Sequence, residues 1–153
     1  MSAREFIGKI VYYTLRPFIH QFLKDSRRAY VVMEHDGKIL VVKNILGSGK
    51  WHLPGGGCHK DESFEQGASR ELKEEVGVRV PTSRLEVLSP EAFRSKRGFD
   101  YQLFLLRMSK STELKLDRLE ILEASWLDPN DLNDSNAGES TLQALTLLGQ
   151  RTS

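Results

Sequence analysis

Residues 55–78 read GGGCHKDESFEQGASRELKEEVGV, and this stretch decides the fold. It opens on three glycines, which let the backbone approach a ligand closely. Helical periodicity begins near Ser63, a residue type that caps helix N-termini, and runs to about Val76. Gly77 is well placed to end that helix in a left-handed conformation. The stretch therefore predicts a glycine-rich loop followed by one well-bounded helix.

Three carboxylates share one turn of this helix. Glu71, Glu74 and Glu75 stand at i, i+3 and i+4, so they lie on the same face. Like charges this close repel each other, and a hard cation such as Mg²⁺ or Mn²⁺ relieves the conflict through carboxylate and carbonyl oxygens. Arg70 can hold one of the carboxylates with a forked hydrogen bond. The pattern predicts a divalent-metal site whose metal bridges to phosphate.

The same residues resemble the Nudix box, G-x5-E-x7-R-E-U-x-E-E-x-G-U, in which U is aliphatic. All nine specified positions agree, and they are Gly56, Glu62, Arg70, Glu71, Leu72, Glu74, Glu75, Gly77 and Val78. A looser resemblance extends over most of the chain from Ala29 onward. It implies an α/β fold, a Nudix-type α/β/α sandwich with a mixed sheet.

The resemblance also implies a chemistry. Nudix proteins are mostly metal-dependent hydrolases that use metal-activated water to cleave a diphosphate linkage in a nucleoside diphosphate derivative. In that family, glutamates matching Glu71, Glu74 and Glu75 ligate the metal with a backbone carbonyl at the position of Gly55. Residues matching Glu62 and Arg70 order the loop and the ligands. The expected cofactor is Mg²⁺, with Mn²⁺ as the alternative.

The general base and the substrate stay open. The three box glutamates are candidates for the base, and so is Glu120 in the segment before the final strand. Nucleoside triphosphates, nucleotide sugars, ADP-ribose and RNA 5′ ends are all candidate substrates. A nucleotide-sensing or protein-binding module without turnover is the alternative function, and a diphosphate isomerase is a third. The intact set of arginine and glutamates favours an enzyme.

A basic cluster follows the box at Arg94, Lys96 and Arg97, with Phe99 beside it. In a loop, such residues can bind a second phosphate while an aromatic ring stacks on a base. They can equally form a solvated hairpin tip, and both interpretations stay open. Cys58 next to His59 lacks a second ligand pair at zinc spacing, so a zinc site is not expected.

Composition bounds the remaining possibilities. The chain has 153 residues, 39% hydrophobic and 28% charged, which suits one globular domain and argues against disorder. The formal net charge of +1 argues against a general nucleic-acid binder, so no DNA partner is expected. The single cysteine, Cys58, cannot form an internal disulfide and fits a reducing, cytoplasmic compartment.

Residues 1–28 form a separate N-terminal segment before the expected Nudix domain at 29–153. A helical apolar stripe recurs there at spacings of three and four, comprising Phe6, Ile7, Ile10, Val11, Leu15, Phe18, Ile19, Phe22 and Leu23. Pro17 predicts a kink or two shorter helices. Flanking basic residues allow a membrane-surface anchor. We expect instead a helix that packs on the domain or on a second copy in a homodimer, with no membrane partner.

The rest of the chain alternates strands and helices. Two β-branched runs flank Asp36-Gly37, which predicts a hairpin. The predicted strands are Ala29–Glu34, Lys38–Lys43, Arg84–Leu88, Tyr101–Met108 and Glu123–Leu127, and a last helix is predicted at Ser140–Gln150. Trp51 and Trp126 are expected to pack in the core or against the sheet.

Overall fold

The computed structural model describes residues 2–152, with side chains described over 2–17 and 24–150. The helices are α1 (Ala3–Leu23), α2 (Phe64–Val76) and α3 (Glu139–Thr152). The strands are β1 (Arg27–His35), β2 (Lys38–Asn44), β3 (Gly55–Gly57), β4 (Glu86–Val87), β5 (Phe93–Arg94), β6 (Asp100–Arg107) and β7 (Ile121–Leu127). Short 3-10 turns lie at Thr82–Arg84 and Pro129–Asp131.

The strands form one mixed sheet in the order β4-β6-β1-β2-β7, with β3 added to β1 and β5 added to β6. The β1–β6 pair is parallel, and the other pairs are antiparallel. Strand β1 is central because its first half pairs with β3 and its end pairs with β2. The hairpin at Asp36-Gly37 is confirmed, since both residues have positive φ angles, 48° and 73°.

The sheet carries a core on each face. Alternate residues of β1, namely Ala29, Val31 and Met33, join a buried cluster that includes Leu72 of α2. Val32 belongs to the opposite cluster, against which α3 packs through its leucines. Helices therefore cover both faces, and the predicted α/β/α sandwich with a mixed sheet is confirmed.

The sequence predictions differ from the structure where strands are very short. Of the predicted Arg84–Leu88 strand, only Glu86–Val87 form a strand, β4, and Arg84 ends a 3-10 turn. Strands β3 and β5 were not expected, because three glycines have low strand propensity and a two-residue strand shows no periodicity. The β3 pairing is consequential because it attaches the glycine loop directly to β1.

Helix α2 is fixed at both ends. The Ser63 side chain accepts a hydrogen bond from the Gln66 N–H, and the Gln66 side chain accepts one from the Ser63 N–H, which completes a capping box. At the other end, Gly77 has φ 75° and its N–H bonds to the Leu72 carbonyl. A side chain at Gly77 would also meet Lys115 Cβ at 2.7 Å. These caps set the position of the glutamates on α2.

Helix α1 runs through Pro17 as one element instead of two. It contacts the body through small and aromatic residues: a Cβ at Gly8 would lie 1.9 Å from the Ile45 carbonyl oxygen, and Tyr12 is buried. The predicted stripe does not face the domain, since Phe6, Ile7 and Ile10 are exposed. Its later members, Phe18, Ile19, Phe22 and Leu23, lie outside the described side chains.

Among the helices described, none combines the length and the apolar character that crossing a bilayer requires.

Candidate active site

The Arg70 guanidinium is the centre of the acidic cluster on α2. It makes a forked contact to Glu62, with Nε 2.7 Å from Oε1 and Nη2 3.0 Å from Oε2. Its Nη1 donates to Glu74 Oε2 at 2.9 Å and to Glu71 Oε1 at 3.2 Å. Its Nη2 also donates to the Gly57 carbonyl at 2.7 Å. One side chain thus ties the glycine loop to three carboxylates.

Glu62 acts in the loop before α2. Besides Arg70, its carboxylate accepts a hydrogen bond from the His59 N–H at 2.8 Å. The hydrogen bonds from Arg70, followed by that from His59, lower the pKa of Glu62 to about 2. Glu62 is therefore a charged anchor for Arg70, which agrees with its predicted supporting role.

Glu75 occupies the opposite environment. It is 4% exposed, and its Oε2 accepts a hydrogen bond from the Gly55 N–H at 2.7 Å. Burial first, and then the neighbouring carboxylates of Glu71 and Glu120, raise the pKa of Glu75 to about 8 against the lowering effect of the hydrogen bond from the Gly55 N–H. A nearby cation would therefore stabilise the charged form of the Glu75 carboxyl group.

The glycine loop leaves no room for side chains at two positions. Gly55 has φ 142°, and a Cβ there would lie 2.1 Å from the Ala29 carbonyl oxygen. A Cβ at Gly56 would lie 2.6 Å from Glu71 Oε1. At Gly57 a Cβ would meet nothing within 4 Å. The backbone of the first two glycines therefore lies directly against β1 and the glutamates.

These carboxylates fit a hard divalent cation by their chemistry. Burial raises the pKa of Glu71 as well, although Arg70 offsets part of its charge. A divalent cation favours charged carboxylates that burial and mutual repulsion disfavour. Among the described residues, no three acidic, His or Cys side chains already converge as a metal cage, since Glu71 and Glu74 contact Arg70. The ligand set of Gly55, Glu71, Glu74 and Glu75 stays a prediction.

Glu120 lies just before β7 and is exposed. It is close enough to Glu75 for its charge to raise the pKa of that buried carboxyl. Its backbone is held in place, because the Glu120 carbonyl accepts a hydrogen bond from the Ile45 N–H at 2.8 Å. The structure thus brings Glu120 to the edge of the acidic cluster, where its role as a base can be tested.

Arg28 is a residue that sequence analysis missed. Its Nε donates to the Tyr30 hydroxyl at 2.9 Å, and its guanidinium lies 5.5 Å from the Phe99 ring centroid. Its positive charge also acts on Glu71 and Glu75, lowering the pKa of each against the effect of burial. Arg28 therefore joins the acidic cluster to an aromatic surface. No local motif marks it, because Phe99, Glu71 and Glu75 lie far from it along the chain.

That aromatic surface belongs to a cavity of about 690 Å³. The cavity is lined by aromatic side chains and by more basic than acidic ones: the aromatic residues are Tyr12, Tyr30, Phe99 and Tyr101, the basic ones are Arg16, Lys50, Lys96 and Arg97, and the acidic ones are Asp134 and Glu139. His52 also lines it, and burial together with nearby cations lowers its pKa to about 4, so its ring is neutral at neutral pH. Such a lining suits a flat, negatively charged ligand.

The predicted basic cluster divides between two places. Lys96, Arg97 and Phe99 line the cavity. Arg94 instead forms exposed ion pairs, with Asp25 at 2.6 Å and Asp100 at 3.0 Å. The reason is that Arg94 ends β5, whereas Lys96, Arg97 and Phe99 belong to the turn that follows it.

Cys58 and the tryptophans have structural environments. Burial raises the pKa of the Cys58 thiol, which disfavours a thiolate nucleophile. Trp126 packs beside the α2-side core and Trp51 beside the α3-side core. Both tryptophans are partly buried, in line with the packing role that was expected of them.

The environment of Glu75 predicts a pH-dependent stability. Below about pH 4.5 the folded and the unfolded chain both hold this proton, and between about 4.5 and 8 only the folded chain does. Metal-free protein should therefore lose stability as pH rises through this window, by up to about 1.4 kcal/mol per pH unit from this group. Urea unfolding in EDTA should show a steeper fall for wild type than for Glu75→Gln; equal slopes would contradict the assignment.

Comparisons with known proteins identify the family of this chain. The NUDIX domain family model matches residues 24–147. A MutT-like protein of Streptomyces ambofaciens is 31% identical over 120 residues, which cover 78% of this chain and 74% of that protein. Nucleoside triphosphatase NudI of Escherichia coli O139:H28 is 28% identical over 134 residues, covering 77% of this chain and 92% of that protein.

A solved structure has the same fold. The crystal structure of a MutT NUDIX hydrolase from Burkholderia pseudomallei superposes with a TM-score of 0.69 at 22% identity, covering 81% of this chain and 98% of that one. The family match spans both the acidic cluster on α2 and the sheet that supports it. The chain therefore belongs to the NUDIX domain family and is a Nudix hydrolase, an enzyme acting on phosphorus-containing acid anhydrides.

Proposed function

We propose that the protein is a Mg²⁺- or Mn²⁺-dependent pyrophosphohydrolase that cleaves the diphosphate linkage of a small nucleoside diphosphate derivative. The observation that supports this most directly is the position of Arg28, whose charge acts on Glu71 and Glu75 and whose guanidinium lies 5.5 Å from the ring of Phe99, a residue that lines a cavity of about 690 Å³. The cluster suits the phosphates and the cavity suits the nucleoside. Cleavage in the cytoplasm fits the single cysteine.

The cavity side chains supply recognition. Tyr30 and Tyr101 form an edge-to-face pair with centroids 6.0 Å apart, and Phe93 stacks on Tyr101 at 5.5 Å. Rings held in this way offer a rigid apolar wall to a nucleobase. Lys96 and Arg97 add positive charge for a phosphate or an acidic group. A nucleoside derivative of ordinary size would fit this volume.

Arg28 and the glutamates would orient the anhydride. Arg28 is held by the Tyr30 hydroxyl, and it lies close enough to Glu71 and Glu75 for its charge to lower their pKa, so it would bind a phosphate oxygen beside the glutamates. Glu71, Glu74 and Glu75, with the Gly55 carbonyl, would hold the metal. When bound, the metal offsets phosphoryl charge and acidifies a water. A box glutamate or Glu120 would accept the proton from that water.

Nucleoside triphosphates are the first substrates to test, because the relative NudI is named a nucleoside triphosphatase. A panel would add nucleotide sugars, ADP-ribose and 5′-triphosphorylated RNA, each with Mg²⁺ or Mn²⁺ in ¹⁸O-water. We expect at least one small nucleotide to give an ¹⁸O-labelled phosphate product, and EDTA to abolish the label. Absence of label from every member would favour a binding module, whereas labelled RNA ends alone would favour the RNA alternative.

The close approach of Gly56 to Glu71 predicts a paired result. Gly56→Ala would place a Cβ 2.6 Å from Glu71 Oε1 and displace that carboxylate. A misplacement of about 1 Å in a site of this kind lowers kcat/KM roughly 100-fold. Gly57→Ala is the matched control, since its Cβ meets nothing within 4 Å, and it should retain activity within a few-fold. Equal activities in steady-state assays would place Glu71 outside the site.

The division of the basic cluster predicts a second paired result. Lys96→Ala should raise KM for the substrate about tenfold with kcat little changed. The reason is that Lys96, which lines the cavity, would contact the substrate equally in the ground state and in the transition state. Arg94→Ala should leave KM unchanged, since that side chain pairs with Asp25 and Asp100 away from the cavity. Steady-state kinetics would measure both values, and an equal KM for the two variants would show that Lys96 does not bind the substrate.

A further inference from the structure

The large exposed hydrophobic side chains of the described residues are concentrated in one region. Seven of eight lie on α1 or in two loops that touch it, and only Val87 on β4 lies elsewhere. We name these seven the apolar platform, and they are Phe6, Ile7, Ile10, Tyr13, Leu15, Leu46 and Leu119. Their exposures run from 42% for Leu15 to 86% for Leu119.

The three segments of the platform are bonded together. Gly8 of α1 packs on the carbonyl of Ile45, the neighbour of Leu46. Arg4 donates to the Arg118 carbonyl at 2.6 Å, immediately before Leu119. The two loops are joined in turn by the hydrogen bond from the Ile45 N–H to the Glu120 carbonyl. The helix and the two loops are therefore held beside one another.

Helix α1 is oriented with its polar side inward. Lys9 pairs with Glu5 at 3.2 Å, and Arg16 lines the cavity beside the buried Tyr12. The opposite side holds Phe6, Ile10 and Tyr13, each at least half exposed. At roughly 100 Å² for each side chain of this size, the platform exposes several hundred Å² of apolar area, which is typical of a membrane- or protein-binding surface.

The charges around the stripe are mainly basic. On a helix of 3.6 residues per turn, Arg4 lies about 60° beyond Ile7, and Lys9 lies about 40° before Tyr13 on the other side. The arc between them, over Ala3–Pro17, contains no charged residue. Arg4 is exposed, and an exposed basic side chain beside an apolar stripe can extend to lipid phosphates while the stripe enters the interface.

A second copy of the chain would complement the charge of this surface less well than an anionic lipid bilayer would. Two α1 helices would bring a net positive charge together, because Ala3–Pro17 contain Arg4, Lys9 and Arg16 against a single acidic residue. The only acidic residue of Ala3–Pro17 is Glu5, which already pairs with Lys9. Like charges across an interface oppose association, whereas anionic lipids offer the opposite charge.

We propose that the apolar platform docks the protein on the surface of an anionic lipid bilayer, with α1 lying in the membrane plane. No described helix is suited to cross the bilayer, so the contact is peripheral. This inference does not depend on the identity of the nucleotide substrate.

The test is co-sedimentation of the full chain with vesicles. Phosphatidylcholine vesicles containing about 30 mol% phosphatidylglycerol should retain the protein, and pure phosphatidylcholine vesicles should retain much less. Ile7→Glu and Ile10→Glu should each lower binding to the anionic vesicles at least about tenfold, because each places a charge within the stripe. Raised salt should weaken wild-type binding.

Val87→Glu is the matched control, since it makes a similar change at an exposed position outside the platform, and it should bind as wild type does. Urea unfolding would verify that the platform variants remain folded. Failure of wild type to bind the anionic vesicles would overturn the proposal. So would a homodimer, seen by light scattering, that Ile10→Glu dissociates while vesicle binding is absent.

Discussion

The site depends on the contact between Arg70 and the carboxylates around it. Glu62, Glu71 and Glu74 would repel one another without this guanidinium, and the glycine loop would lose its bond from Arg70 to the Gly57 carbonyl. Arg presents several donors in a planar fork, so one residue can bind all four acceptors. Arg70 therefore fixes the loop to α2 and holds the glutamates on a single face.

Two glutamates of the acidic cluster differ in their protonation at neutral pH. Glu62 is bound by Arg70 and has a pKa near 2, whereas Glu75 is buried against the Gly55 N–H and has a pKa near 8. Arg70 thus offsets the charge of Glu62, Glu71 and Glu74. Among the described residues, no basic side chain lies at bonding distance from Glu75, whose partner is the Gly55 N–H. A site arranged in this way favours a cation beside the buried Glu75, while Arg70 keeps the other carboxylates ordered.

Sequence could predict what depends on local spacing. The caps of α2, the shared face of its glutamates and the role of Arg70 all follow from residues within one 24-residue stretch. It could not predict Arg28 or His52, because their significance arises from contacts with Phe99 and Gly138, which lie far away along the chain. Periodicity likewise located the apolar stripe of α1 but did not indicate that the stripe faces solvent. Periodicity shows which residues share a helix face, and it does not show what that face contacts.

The attachment of α1 to the loop at Arg118 has a mechanical meaning. Arg4 binds the carbonyl two residues before Glu120, and the Glu120 carbonyl is bonded in turn to Ile45, on which Gly8 rests. The contacts that hold α1 on the domain therefore end at the backbone of Glu120, the candidate base at the edge of the acidic cluster.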